Sequence, residues 1–595
     1  MSYSLKSTFA RERPNAFADS LTEHFRTARY VFLTAAPLGI LVGLAIAAYD
    51  WAVNELLWKT FTVHCSPMVL CLLPMAAMVL AGAIMSIFRV KSSSMADEVV
   101  RAYHRPDQQI DYKSALPKLG ASLATMGFGG SAGMEGASKW MGGTITSYLQ
   151  SKINKCPRLS YLHGKAETTL MVGAAAGIAA IFRAPLTGAI MGIESPYKRD
   201  LAHEALIPGL VAAATSYATF SFLRPNTPYF PIHFVYHINI RDLFLCLPVG
   251  ILGGLASHLF LALLSRTRKR YNGWTAPRIC KNFVGGVLIS AIALLTLYLI
   301  HSPVTLQAGL PLANQLLNGK YVLWMCLFLF VAKLLVTVFT FGMGGVGGFF
   351  VPSATIGAAL GACCDAMLHP SQPGLFTLIG IAAFTGASYN SLLFAAVFIA
   401  EATGSPALVV PGLIASSMAF LVAAGISNSE SQRAHRNTDE GKLSTMPCSD
   451  WMSRRIVVAS PGEALAHFYD RAVMEHTYDE LPVVTKDGTY LGMAAMKSLR
   501  LIPREQWATQ PVTAIMDSHA RTVCSYHSMK IVEQELAHGA YDYIPVVDPA
   551  TDRLIGILSA RDILRARVQA SESTQAARAD ELKSGLPTFS NHKEE

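Results

Sequence analysis

The sequence predicts a multi-pass α-helical membrane protein built from two inverted repeats with broken and tilted helices, followed by a soluble α/β module. Three observations lead to this prediction. Hydrophobic residues make up 52% of the chain, charged residues only 15%, and the mean hydropathy is +0.35, a composition typical of membrane-spanning chains. Two glycine-rich stretches recur in the two halves of the apolar region. From about Ser427 the chain becomes polar, and strand-like runs alternate with helical ones.

The two glycine-rich stretches are Thr125–Ser138, which holds five glycines and the carboxylate of Glu135, and Thr340–Ser353, which aligns with it without a gap. An ionisable group at membrane depth costs about 3 kcal/mol on insertion scales, so it marks a transport path by default. Recurring glycine-interrupted segments place a binding site at the repeat interface. The alternative, a tight helix contact with a snorkelling glutamate, does not explain the second copy. The identical pairs are Thr125/Thr340, Gly127/Gly342, Gly129/Gly344, Gly130/Gly345, Gly133/Gly348 and Ser138/Ser353.

A second pair of segments, Arg183–Ser195 and Asn390–Ala402, follows in the same order. Each is apolar and carries a glutamate near its end, Glu194 or Glu401. We interpret these two acids as structural carboxylates bonded to neighbouring helix ends, in preference to transport residues. Several other apolar runs are shorter than the roughly 20 residues that cross a bilayer. Such runs suit broken helices that meet inside the membrane.

The charge pattern argues for a lipid bilayer and against nucleic acid as a partner. The net charge of +9 is modest and spread along the chain, as expected of Lys and Arg that flank spans. Residues 1–30 carry positive charge before a first span near Val31–Ala48 and lack a signal-peptide pattern, which predicts a cytosolic N-terminus. A second span is predicted near Met68–Ile87. We expect an integral protein of a plasma membrane or a bacterial inner membrane.

Cysteine usage and motif content exclude several other classes. The ten cysteines are scattered without a CxxC pair, which predicts core thiols and neither a disulfide framework nor a metal site. A membrane enzyme is disfavoured because no Ser/His dyad stands in a motif context. A cation transporter would require several converging carboxylates in the spans, whereas each half offers single ones.

The predicted organisation has six parts. They are a cytosolic segment (1–30), a transmembrane transport domain (31–426), a linker (427–446), two copies of a cytosolic soluble module (447–508 and 509–568) and a disordered tail (569–595). The copies are identified by strand-like runs, namely Ile456–Val458, Leu481–Val484 and Tyr490–Ala495, which recur as Thr522–Cys524, Ile544–Val547 and Leu554–Leu558.

The glycine stretches each precede a run that is suited to start a helix. Half-helix N-termini that converge inside a membrane offer N–H dipoles to an anion without a full positive charge. Such partial charges bind an ion weakly enough to let it leave, whereas a buried lysine or arginine would trap it. A carboxylate at the same place, Glu135, would compete with the anion for the N–H groups and swing aside when protonated. Glu135 is therefore a candidate gate and proton carrier.

These residues resemble the CLC family of chloride channels and chloride/proton exchangers, over nearly the whole chain up to about Gln432. Gly133–Ala137 is similar to the family's GKEGP or GREGP motif, which implies that Glu135 is the gating glutamate and that Gly133 lies at the anion site. Lys118 matches a buried lysine of the family and would support the local field. The resemblance also implies a homodimer with one pore per subunit, chloride as the transported ligand and no required cofactor.

Two further motifs extend the resemblance. Gly348–Pro352 is similar to the family's GxFxP motif, which implies that the amides of Phe349 and Phe350 coordinate the anion. The GSGIP motif would fall on Ser92–Ala96, with Ser93 as the anion-binding hydroxyl. Both glycines and the proline of that motif are missing, so its local backbone is expected to differ.

Other departures bear on mechanism. Ser429 stands where the family's SxYxSQ segment has a central tyrosine, which predicts a wider inner mouth and Ser429 as a weaker anion ligand. Ser195 follows Glu194 at the position where family exchangers usually carry an inward-facing proton glutamate. Two mechanisms remain open: a passive, Glu135-gated channel, which we prefer, and an exchanger that delivers protons through another acid or through water. The residues do not separate chloride from nitrate or fluoride.

The soluble repeat resembles a tandem pair of CBS domains. Its second copy keeps the adenosine-binding pattern at Gly556–Asp562, in which Asp562 would accept the ribose hydroxyls and Ser559 would start a helix suited to phosphate. The first copy, at Gly492–Ser498, lacks both polar anchors. The alternative is that Ser559 and Asp562 only cap the helix. The hypotheses left open are regulation of transport by ATP or AMP, and a nucleotide sensor on a membrane anchor.

Overall fold

The computed structural model describes residues 31–569, except 91–92, 105–109, 225–227, 233, 434–442, 444–445, 472–478 and 540. The predicted N-terminal segment, more than half of the predicted linker and all but the first residue of the predicted tail lie outside the described residues. The chain divides into two compact units, Met1–Ala434 and His435–Glu595. Each unit is described by itself.

The first unit is built from helices of unequal length. Among the described residues, eight helical segments are long and apolar enough to cross a membrane, and three further apolar helices have only 10–17 residues. This mixture agrees with the predicted combination of spans and broken helices. The helices are α1 (Ala36–Asp50), α2 (Lys59–His64), α3 (Pro67–Ile87), α4 (Met95–Tyr103), α5 (Ala115–Gly127), α6 (Glu135–Asn154), α7 (Ala166–Phe182), α8 (Pro185–Glu194), α9 (Leu206–Leu223), α10 (Ile240–Gly273), α11 (Arg278–Ile300), α12 (Leu310–Leu317), α13 (Leu323–Gly342), α14 (Phe350–Leu368), α15 (Leu375–Tyr389), α16 (Leu392–Thr403) and α17 (Val409–Ala423).

The first span is longer than its composition predicts. The predicted end at Ala48 is wrong, because the helical segment runs without a break from Val31 to Thr62. Asp50 follows in the middle of this segment and is buried. The Arg224 Nε donates to its carboxylate at 2.6 Å, so the acid is paired and does not end the helix.

Small residues let α6, which begins within the first glycine stretch, pack closely against α7. A Cβ added to Gly173 of α7 would collide with the Gly142 carbonyl of α6, and one added to Gly177 would collide with the Ser138 carbonyl. The two backbones are therefore in direct contact, as in membrane helix pairs with small residues at their interface. This contact fixes α6, whose first residue is Glu135.

The second unit contains two three-stranded sheets, each built around an antiparallel strand pair and differing in where the third strand is added. In the first, β1 (Glu480–Val484) pairs antiparallel with β2 (Tyr490–Ala495), which pairs with β3 (Met516–Asp517). In the second, β4 (Val523–Cys524) runs parallel to β5 (Tyr543–Val547), which pairs antiparallel with β6 (Leu554–Ser559). The register shifts at the same place in both copies, between the last two residues of β1 and of β5.

The strand prediction needs two corrections. Ile456–Val458 forms no strand with any described residue, and the ladder contact that follows it is an isolated bridge between Ala459 and Val483. Met516–Asp517 forms a short strand that the sequence pattern does not indicate. A two-residue strand is too short to show the alternation on which such predictions depend. The remaining strands agree with the predicted runs to within one residue.

Candidate functional site

The two glycine stretches meet face to face. The Gly133 amide donates to the Gly348 carbonyl at 2.8 Å, and the Gly348 amide returns a bond to Gly133 at 2.7 Å. A second reciprocal pair surrounds it: the Ser131 amide donates to the Thr340 hydroxyl, and the Val346 amide to the Thr125 hydroxyl, both at 3.2 Å. Because these contacts join equivalent positions, the two repeats are related by a local two-fold arrangement.

Each glycine turn reverses the chain just before a helix begins. Gly129 and Gly344 occupy equivalent positions with φ of +87° and +94°, a left-handed conformation that glycine adopts without steric cost. The helices that follow begin at Glu135 and Phe350, again equivalent positions. Two helix N-termini, whose first amide groups have no partner within their own helix, therefore approach each other inside the first unit.

Glu135 bridges the two repeats. Its side chain is buried, and Oε1 accepts the amide of Phe350 and, at 3.3 Å, the amide of Val351. Its Oε2 has no hydrogen-bond partner among the described residues. The carboxylate of one repeat thus caps the helix of the other, in the position where N-terminal amides attract negative charge.

The predicted amides of Phe349 and Phe350 have different surroundings. The Phe350 amide binds Glu135, whereas Phe349 lines a small cavity together with Tyr389. The ring of Phe350 is fully buried. It packs 4.7 Å from Phe182 and 4.7 Å from Phe398, measured between ring centroids. This aromatic packing fixes the start of α14 and therefore the direction of its amides.

Two adjoining cavities lie near this helix start. The smaller, of about 20 Å³, contains Ser429 and Phe349 in its wall, and the larger, of about 220 Å³, contains Ser93. The Ser429 hydroxyl donates to Asp97 at 2.7 Å. The structure therefore places Ser93 and Ser429 in neighbouring cavities, with the Ser429 hydroxyl directed to a carboxylate.

Tyr389 is a residue that sequence reasoning missed. It ends α15, is buried, and lines the smaller cavity together with Ser429. A phenol is thus present beside Phe349, but it comes from a different helix than the segment in which the family's tyrosine is expected. No local motif surrounds Tyr389, so only its position in three dimensions identifies it.

Lys118 is buried, as predicted, and it is paired. Its ammonium group donates to Glu98, which also accepts the Trp140 indole N–H at 3.1 Å. The equivalent lysine of the second repeat, Lys333, was not identified from the sequence. Lys333 is fully buried and donates to two backbone carbonyls, at 3.0 and 2.6 Å.

Glu194 and Glu401 have the structural role that their positions suggested. Glu194 accepts the amides of Leu393 and Phe394 at 3.1 and 3.0 Å. Glu401 accepts the equivalent amides, Leu186 at 3.0 Å and Thr187 at 2.7 Å. Each acid therefore caps the short helix of the opposite repeat, and the interpretation as structural carboxylates is confirmed.

In the second unit, Ser559 and Asp562 contact each other. The Ser559 amide and hydroxyl both donate to the Asp562 carboxylate, at 3.0 and 2.7 Å. Both residues line a cavity of about 180 Å³ between the two sheets' strands, together with Glu480 and Tyr543. The contact is a helix cap, as the alternative interpretation proposed.

Comparisons with known proteins agree with this geometry. The family model for the voltage gated chloride channel matches residues 76–424, and that for the CBS domain matches residues 448–502 and 512–569. The H(+)/Cl(−) exchange transporter ClcA of Citrobacter koseri is 26% identical over 427 residues, covering 68% of this chain and 87% of ClcA. The voltage-gated ClC-type chloride channel ClcB of the same organism is 25% identical over 405 residues, covering 64% and 93%.

Solved structures share the fold. A slow cyanobacterial Cl⁻/H⁺ antiporter superposes with a TM-score of 0.59 at 20% identity and covers 67% of this chain and 95% of its own. A eukaryotic CLC transporter covers 90% of this chain and 98% of its own, with a TM-score of 0.54 at 19% identity. The chloride-channel family model spans more than half of the 595 residues. The chain therefore belongs to the voltage gated chloride channel (CLC) family and ends in a pair of CBS domains.

Proposed function

We propose that this protein carries chloride or a similar anion across the lipid bilayer along a path that Glu135 gates. The observation that supports this proposal most directly is the bond from the Glu135 carboxylate to the amides that start α14. A carboxylate held by free helix amides is the local equivalent of a bound anion. When Glu135 is protonated, it loses its charge and releases the amides, which then become available to the transported anion.

The rest of the path is proposed from the residues around this bond. Phe349 and Phe350 supply backbone amides, and Ser93 supplies a hydroxyl group in the larger cavity. The predicted roles of Gly133 and Ser429 as anion donors need correction, because the Gly133 amide is bonded to the Gly348 carbonyl and the Ser429 hydroxyl to Asp97. Partial charges bind an anion without trapping it. Lys118 contributes little to the positive potential along the anion path in this proposal, because Glu98 forms an ion pair with it.

We propose channel-like transport, with a chloride/proton exchanger as the second candidate. The position after Glu194 is Ser195, so no acid follows the structural carboxylate there. The relatives include both an exchanger and a channel at similar identity. The deciding experiment measures the reversal potential of reconstituted protein under opposed chloride and pH gradients. A potential equal to that of chloride and unmoved by pH supports the channel, and a potential displaced by the pH gradient supports the exchanger.

The proposal includes a homodimer with cytosolic CBS domains that regulate the transport domain. In sequence, the first unit ends at Ala434, two residues after Gln432, which lines the smaller cavity. Cross-linking in the membrane tests the dimer: a monomer under all conditions contradicts it.

The Gly133→Ala variant tests the position of the gate. The three atoms nearest to an added Cβ at Gly133 all belong to the Glu135 carboxylate, a flexible group that is able to move. We expect the variant to fold and its chloride flux at neutral pH to rise toward the level that the wild type reaches in acid, because the carboxylate is pushed off the amides.

The matched control is Gly136→Ala. Its Cβ would lie 2.8 Å from the Gly348 Cα and 3.1 Å from the Gly347 carbonyl oxygen, and backbone yields less easily than a side chain. We expect a loss of about 1–3 kcal/mol in the free energy of unfolding. Neutral-pH flux in Gly133→Ala equal to that of the wild type would argue against the proposed gate position.

Nucleotide binding to the CBS pair is tested on the full chain with Asp562→Ala. Loss of the cap is expected to lower the free energy of unfolding by about 1 kcal/mol. If Asp562 also binds a ribose, ATP or AMP raises the melting temperature of the wild type and not of the variant. A wild-type melting temperature that neither nucleotide changes leaves Asp562 as a cap alone.

A further inference from the structure

The smaller cavity contains a buried lysine that the proposed gate does not use. Lys139 lies one helical turn after Glu135 on α6 and is 3% exposed. It lines the cavity of about 20 Å³ together with Ser195, Phe349 and Tyr389. A cavity of this size is large enough for one small particle such as a water molecule or a halide ion.

The ammonium group of Lys139 has no directly bonded partner. Among the described residues, no hydrogen bond or ion pair to it is found, and the charge that acts on it is that of Asp97, which lines the same cavity. The Asp97 carboxylate is already bound by Arg101 at 2.8 Å and by the Ser429 hydroxyl at 2.7 Å. A buried charge without a partner is costly, and an anion in the adjacent cavity would offset that cost.

A second group in the same cavity also lacks a partner. The Ser195 side chain is 5% exposed, and its hydroxyl oxygen has no hydrogen-bond partner among the described residues. Ser195 and Lys139 both line the cavity. An unpaired hydroxyl donor next to an unpaired ammonium group is a donor set for an anion.

The wall of the larger cavity adds positive charge next to the smaller cavity. It shares Asp97 with the smaller one. Three arginines line it against two carboxylates; they are Arg101, Arg268 and Arg278, with Asp97 and Glu430. Together with Lys139, the cations outnumber the acids, so the potential across the two cavities favours anions.

We propose that Lys139 and Ser195 form an anion-binding site in the smaller cavity, which holds chloride or another small anion by a full charge and a hydroxyl donor. This inference rests on the proposed function and deepens it. Unlike the helix amides, which bind the anion by partial charges, this site carries a full charge. It therefore holds the anion more firmly and releases it more slowly, and it repels cations. It thereby sets the selectivity and the exit rate of the path.

Equilibrium binding tests the site without any transport assay. Chloride is titrated into the full-length protein, purified in detergent without halide, and its affinity is measured by calorimetry. We expect Lys139→Met to weaken chloride binding by at least about tenfold, since a full charge close to the anion is removed. Lys139→Arg keeps the charge and should retain most of the affinity. Lys152→Met removes an exposed lysine from the same helix and should leave it unchanged.

Ser195→Ala keeps the proposal testable if Lys139→Met does not fold. It removes only a hydroxyl, and we expect chloride affinity to fall roughly threefold or more. Unchanged affinity in a folded Lys139→Met protein, or in Ser195→Ala when Lys139→Met is unfolded, overturns the inference. Flux without measurable chloride binding in the wild type overturns it too. Absence of both flux and binding in the wild type instead rejects the proposed function itself.

Discussion

Replacing Glu135 by glutamine is expected to remove the pH dependence of anion flux. The wild-type carboxylate holds the amides of Phe350 and Val351 and releases them on protonation, so wild-type flux should rise as the pH falls. A single titrating group changes its protonated fraction by about tenfold per pH unit above its pKa. Glutamine keeps the size of the side chain and has no charge to titrate, so flux between pH 7.5 and pH 5 should stay constant within about twofold.

Chloride efflux from liposomes measures this effect directly. Glu194→Gln is the matched control, because Glu194 is also a buried acid bound to helix amides but caps a structural helix. This control is expected to lose stability and to keep the wild-type pH dependence. Wild-type pH dependence in Glu135→Gln would remove Glu135 from the role of gate.

The Lys118→Met variant is expected to show the largest loss of stability. It leaves Glu98 without its ammonium partner in a setting where the two side chains are only 14% and 4% exposed. Breaking a buried ion pair on one side costs about 3–5 kcal/mol, because the remaining charge stays buried. The free energy of unfolding, measured by denaturant titration in mixed micelles, gives this cost.

The double variant Lys118→Met/Glu98→Gln should recover most of the loss. Glutamine removes the stranded charge and still offers an acceptor to the Trp140 indole. Lys59→Met is the control at an exposed pair, where Lys59 and Glu55 side chains are 65% and 40% exposed, and it should cost less than about 1 kcal/mol. A loss in Lys118→Met as small as in Lys59→Met would show that the pair carries little stability.

The sequence predicts the parts of the site that repeat. Both glycine stretches, the helix starts after them and the capping role of Glu194 and Glu401 follow from matched spacing. Lys333 could have been found in the same way, since it precedes Thr340 by the seven residues that separate Lys118 from Thr125. The lysine pair lies outside the two glycine stretches, whose identical residues make the repeat visible.

The cavity residues could not be predicted in this way. Lys139 and Tyr389 lie on different helices far apart in sequence, and neither belongs to a motif. Their proximity depends on where the start of α6 and the end of α15 lie in space. A paired Asp50 likewise extended a helix past its predicted end, because Arg224 reaches it from a distant segment. A local sequence pattern does not indicate which charged residues from distant segments pair with each other.

The reciprocal caps have a consequence for biosynthesis. Glu194 is synthesised about 200 residues before the Leu393 and Phe394 amides that it binds. The Leu186 and Thr187 amides are likewise synthesised about 200 residues before Glu401, which accepts their hydrogen bonds. The first half therefore enters the membrane with a buried acid and helix amides unsatisfied, and both are costly in lipid. Neither half satisfies these hydrogen bonds by itself, so the final assembly of the two halves begins only once translation has passed residue 401.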